Sequence, residues 1–99
     1  MSDVRITVVR RFDKNELFDP LPDELEYIPS PCRLQEGQEF ICRGEQFPDG
    51  FCSWAFTDIF RDIVHLIRGG NYPWIGKEGV TYSSCTDGRK TVVFKLERT

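Results

Sequence analysis

Apolar residues recur along this chain with two different periods. From residue 53 to residue 69 the period is helical. Ala55, Phe56, Ile59, Phe60, Ile63, Val64, Leu66 and Ile67 fall on one side of a cylinder turning about 100° per residue. Thr57, Asp58, Arg61, Asp62, His65 and Arg68 fall on the other side. The spacing predicts one amphipathic helix over about 53–69, with an apolar arc of roughly half the cylinder, which suits a helix lying across a sheet. Ser53 is the expected N-cap, accepting from an orphan N–H of the first turn. Gly69 or Gly70 suits a left-handed C-cap, Arg68 puts a cation at the negative end of the helix dipole, and Pro73 blocks continuation.

Elsewhere the period is two. Val4, Ile6 and Val8 alternate with Arg5 and Thr7, and Phe40 and Cys42 share one face of a strand over 38–43 with Ile41 on the other. Residues 80–85 and 90–97 read as a hairpin around Asp87-Gly88. A two-residue loop there puts Thr81, Ser83 and Cys85 on the face of Val92, Phe94 and Leu96. A three-residue loop, Thr86-Asp87-Gly88, instead puts Val80 and Tyr82 beside Val92 and Phe94. Matching apolar with apolar favours the second register and sends Cys85 to the face opposite Phe94, or to the strand end. Between the first two strands, Asp13 caps a short turn reaching Phe18. Residues 19–37 are then punctuated by Pro20, Pro22, Pro29 and Pro31, and Leu21, Leu25, Tyr27 and Ile28 are expected to pin that segment to the core. The order strand, irregular segment, strand, helix, hairpin predicts an α+β fold. It is a single domain over 1–99, with a mainly antiparallel sheet of about four strands and the 53–69 helix packed on one face.

Charge narrows the function. The net charge of −3 lacks the basic stripe of a dedicated nucleic-acid binder. Six of the sixteen acids lie between Asp13 and Glu26 and are expected to be a solvated surface. Met1 to Arg11 has no apolar core of a signal peptide, and no run approaches the roughly 18 apolar residues of a membrane span. A cytoplasmic location without a membrane partner is therefore expected, and Cys32, Cys42, Cys52 and Cys85 are read as thiols, not as a disulfide framework. A protein partner or self-association stays open.

Cys52 is the thiol of most interest, because it immediately precedes the helix, where free N–H groups and the dipole favour a thiolate. If Cys85 approaches it, the two form a reversible dithiol. A site of Cys32, Cys52 and Cys85 is also a candidate for a metal ion as cofactor, although it needs a fourth ligand or an open position, and there is no C-x-x-C. Against both stands the reading of free cysteines as small core residues. His65 and Asp62 lie on the polar face and are expected in solvent, so no nucleophile–base–orienter set can be assembled. Tyr72 and Trp74 in the aromatic loop are candidates for an interaction surface, or else fold back over the helix end and sheet edge. Arg89 and Lys90 at the hairpin tip are a small basic cluster open to an anion.

The stretches FCSWAFTDIF, GGNYPW, CTDG and VVFKLE, with Cys32 and the EGQEF of 36–40, resemble a family of small prokaryotic proteins of unknown function. The resemblance spans most of 4–98. It implies a compact domain and importance for Cys32, Cys52 and Cys85, which match family cysteines. Cys42 matches none, and Thr91 stands where the family usually has proline. The expected function is a cysteine-based site, metal-binding or thiol redox, near the helix N-terminus. The alternative is an interaction module using the Tyr72–Trp74 loop with purely structural cysteines. An accessory or binding role is favoured over a stand-alone enzyme.

Overall fold

The computed structural model describes residues 2–99. Four antiparallel strands, β1 (Val4–Arg11), β2 (Glu39–Cys42), β3 (Val80–Ser84) and β4 (Val92–Arg98), form one sheet in the order β2-β1-β4-β3. A short helix α1 (Lys14–Leu17) follows β1, and the long helix α2 (Ser53–Ile67) carries the chain from one sheet edge to the other. This is the α+β architecture that the two periods predict.

Burial follows the period-two faces. Val4, Ile6 and Val8 of β1, Phe40 and Cys42 of β2, and Val92, Phe94 and Leu96 of β4 are buried. They meet Ala55, Ile59, Ile63, Leu66 and Ile67 of α2. The opposite sheet face carries exposed Ile41 and Tyr82, and a charge ladder of Arg5, Lys95 and Glu97. Alternation breaks once. A bulge at Val9 shifts the β1–β4 pairing, so that Arg10 pairs with Val93 and Arg11 with Val92. The extra residue exchanges faces: Arg11 turns to the helix side and donates to the carbonyl of Cys32 at 2.9 Å, while Arg10 pairs with Glu16.

The hairpin takes neither expected register. Ser83 pairs with Phe94 and Thr81 with Leu96, leaving a six-residue connection from Thr86 to Thr91. Thr81 and Cys85 are buried on the helix side, and Tyr82 is half-exposed on the other. Helix packing sets this choice: small side chains on β3 let α2 lie close over it, whereas Tyr82 there would hold it off. Asp87 organises the long connection, its carboxylate accepting from the backbone N–H of Arg89 and its carbonyl from the Thr91 hydroxyl.

The segment 19–37 is pinned differently from expectation. Tyr27 is 89% exposed, and the fully buried anchor is Leu34. Asp13 does cap α1, in a capping box with Glu16. Lys14 then donates to Ser30 and Ile28, drawing the proline-rich segment back against α1.

Both ends of α2 also differ in detail. Cys52, not Ser53, is the N-cap, and its side chain makes no capping hydrogen bond. The start is held instead by aromatic packing. Phe51 meets Phe40 at 5.0 Å and Phe94 at 5.4 Å between ring centroids, and Phe47 meets Phe56 at 5.4 Å. At the C-terminus, Gly69 adopts φ +85° and the N–H groups of Gly69 and Gly70 bond to Leu66 and His65, closing a Schellman motif. The helical body therefore ends at Ile67, two residues short of expectation. The cation at this end is Arg98 of β4, which donates to the carbonyls of Leu66 and Gly70 at 2.9 and 2.6 Å. Arg68 pairs with Glu45.

Candidate functional site

Three of the four cysteines open on one cleft of about 410 Å³ at the N-terminal end of α2. Cys32 comes from the irregular segment, Cys52 from the helix N-cap and Cys85 from the residue after β3. Cys85 thus lies just past the end of β3, one of the two expected placements, but on the face of Phe94, which the favoured register does not give. Leu34, Ala55, Val92 and Phe94 form an apolar floor, with Pro29, Pro31 and Trp54 as walls. Arg33, Asp87, Arg89 and Lys90 lie at the rim.

Each cysteine-bearing segment is fastened to its neighbour. The Arg33 guanidinium donates to the carbonyls of Gly50 and Phe51 at 3.1 and 3.2 Å, joining the Cys32 segment to the residues before Cys52. Asp58, one turn into α2, accepts the backbone N–H of Thr86 at 2.7 Å and its hydroxyl at 2.9 Å. The same hydroxyl accepts from the Trp54 indole at 3.0 Å. Two contacts from the helix start therefore hold the residue after Cys85. Asp58 belongs to the polar face of the helix, and nothing in its spacing signals a partner in the loop.

The thiols differ in environment. Cys32 and Cys52 are half-buried, while Cys85 is buried. Burial pushes the Cys85 thiol up, opposed by backbone hydrogen bonds from Asp87 and Val92; negative charge at Asp87 and Cys32 adds to the rise. The Val92 N–H lies 3.3 Å from Cys85 Sγ. Cys42 lies apart from the cleft lining. It donates to the carbonyls of Gly44 and Gln46, both at 3.1 Å, and burial, with Asp3 and Glu45 nearby, pushes it up to about 11. It closes a turn and buries a small apolar side chain. Asp87 is held below the usual carboxylate range: partial burial opposes ionisation, but the hydrogen bonds and charge of Arg89, aided by Lys90, outweigh it.

Among the described residues, no group of three or more His, Cys, Asp or Glu side chains is disposed to hold a metal ion. His65 lies at the far end of α2, exposed, with Nε2 donating to the Asn71 carbonyl at 3.0 Å and its ring 4.7 Å from that of Tyr72. Its i−3 neighbour Asp62 accepts the Tyr72 hydroxyl instead. Tyr72 is half-buried against the core, whereas Trp74 stacks on it at 5.2 Å and stays 75% exposed, so only Tyr72 folds back.

No helix among the described residues is long and apolar enough to cross a membrane. Comparison with family models, with curated proteins and with solved structures gives no match.

Proposed function

We propose that this chain is a small thiol-redox module in which Cys32, Cys52 and Cys85 act as one set, with Cys85 the member common to any disulfide formed. One observation carries the reading: the three cysteines share a cleft while the fourth, Cys42, is tied to backbone carbonyls elsewhere. Cys85 is the shared member for two reasons. It lines the same cleft as Cys32, and its neighbour Thr86 is bonded to the first turns of the helix that Cys52 caps. The accessible thiols supply the nucleophile, since thiolate fraction and access set the exchange rate. A metal centre at the same cysteines has less support, because these donors do not form a coordinating group.

The test is a thiol count on protein equilibrated with the uncharged bis(2-hydroxyethyl) disulfide. The count is expected to fall from four to two and to recover fully on reduction. Four thiols that persist through oxidation contradict the reading.

A second reading rests on Trp74, whose exposure and stacking on Tyr72 suit a contact with another protein. Sedimentation at rising concentration tests self-association there: Trp74→Ala abolishes any increase in mass if this reading holds.

A further inference from the structure

The chain is acidic overall, with a net charge of −3, yet the rim of the thiol cleft is basic. Of its charged residues, Asp87 is bound to Arg89, Oδ1 accepting from Nε at 3.0 Å and Oδ2 from Nη2 at 3.3 Å. That pair is close to neutral from a distance. Arg33 and Lys90 remain, and among the described residues neither has a carboxylate within ion-pair distance. Arg33 donates only to backbone carbonyls, which position it without neutralising it. Two unneutralised cations thus stand over a half-open cleft with an apolar floor and three thiols in its lining.

We infer that the cleft takes a small disulfide bearing carboxylates as its oxidising substrate, with Arg33 and Lys90 holding the carboxylates and Cys52 attacking the sulfur. The inference rests on the thiol-redox reading and adds the substrate class to it. A volume of about 410 Å³ suits a small molecule of that kind. Leu34 and Phe94 accept its methylenes, and the cations meet its anionic ends.

The electrons balance within the cleft. The Cys52 thiolate forms a bond to one substrate sulfur as the substrate S–S bond breaks. The bond pair leaves on the other sulfur as a thiolate, which takes a proton from water. The Cys85 thiolate then attacks Cys52 Sγ, closing a protein disulfide and expelling the second substrate thiolate. Two protein thiols are oxidised and one small disulfide is reduced to two thiols.

Three disulfides of similar length and different charge test the assignment: 3,3′-dithiodipropionate (anionic), bis(2-hydroxyethyl) disulfide (neutral) and cystamine (cationic). The rate of mixed-disulfide formation is measured by mass spectrometry for the folded protein and for the same chain in urea. The ratio of the two rates cancels the intrinsic reactivity of each compound. At low ionic strength the ratio for dithiodipropionate is expected to exceed that for the neutral compound by about tenfold or more. High salt shrinks the advantage, since exposed charges are screened over about 10 Å at moderate ionic strength. Lys90→Gln, a loop substitution, reduces it, and Lys90→Glu, whose carboxylate offsets Arg33, abolishes it. Equal ratios for all three compounds, or a preference for cystamine, overturn the substrate class and leave the redox reading standing. A protein whose cleft thiols react with none of the three overturns both.

Discussion

Asp58 accepts both the backbone N–H and the hydroxyl of Thr86, at 2.7 and 2.9 Å, and so fastens the residue after Cys85 to the second turn of the helix that Cys52 caps. The bond spans 28 residues of sequence and closes one side of the thiol cleft. Asp58→Ala leaves the Thr86 N–H to water and frees the connection between β3 and β4. The expected cost is about 1 kcal/mol, the usual worth of such a bond near the surface. A local opening of that size raises the alkylation rate of Cys85 about fivefold. Alkylation followed by peptide mapping reads it directly, with Cys42 as the internal reference.

Arg98 replaces a capping side chain at the other end of α2. Its guanidinium reaches the carbonyls of Leu66 and Gly70, and also Asn71 Oδ1, which accepts the Gly79 N–H. Arg98→Met keeps the apolar stem and removes the donors, at an expected cost of about 1.5–3 kcal/mol in urea unfolding. Arg98→Lys recovers part of this, since a single ammonium cannot span all three acceptors.

Gly70 is required for a reason other than its torsion angles. A Cβ on it would fall inside the van der Waals radius of the His65 ring. Gly70→Ala is therefore expected to displace the imidazole from Tyr72 and to destabilise the fold by about 1–3 kcal/mol. Combining it with His65→Ala restores most of the loss, because the atoms nearest the added methyl all belong to that ring. A double-mutant cycle by chemical denaturation measures the coupling.

Two groups make the fold sensitive to alkali. Burial pushes the Cys42 thiol up from 9.0 to about 11, with Asp3 and Glu45 adding to it. Burial, then the hydrogen bond to Asp62 and its negative charge, push the Tyr72 phenol up from 10.0 to about 12. In each case the folded chain holds the proton more tightly than the unfolded one. The resulting stability is complete below the unfolded value and is lost as pH rises through the folded value. The urea midpoint is expected to decline between about pH 9 and 12 on these two shifts. Tyr72→Phe flattens the upper part of the decline, and Cys42→Ala the lower part.

The helix was legible because its two faces separate without exception, and the strands because Val4, Ile6 and Val8 or Phe40 and Cys42 alternate cleanly. The hairpin register was not. Apolar matching ranked Val80 and Tyr82 above Thr81, Ser83 and Cys85, yet the inner face of β3 needs small residues beneath α2. The cleft was legible only in part. Cys52 beside a helix start is a local signal, but its meeting with Cys32 and Cys85 depends on that register and on the bulge at Val9 that turns Arg11 toward the Cys32 carbonyl. Arg33, adjacent to Cys32 in sequence, is a single arginine in a loop and carries no pattern. Its role depends on two carbonyls 17 and 18 residues away.

If Cys32, Cys52 and Cys85 form one redox set from which Cys42 is excluded, oxidation leaves a defined product. Mild oxidation with bis(2-hydroxyethyl) disulfide, alkylation of the remaining thiols and mass mapping of the unreduced peptides test it directly. A single intramolecular disulfide joining Cys85 to Cys52 or Cys32 is expected, with Cys42 and the remaining cleft cysteine recovered as alkylated thiols. A disulfide that includes Cys42, or a Cys85 that stays reduced while the other thiols oxidise, contradicts it.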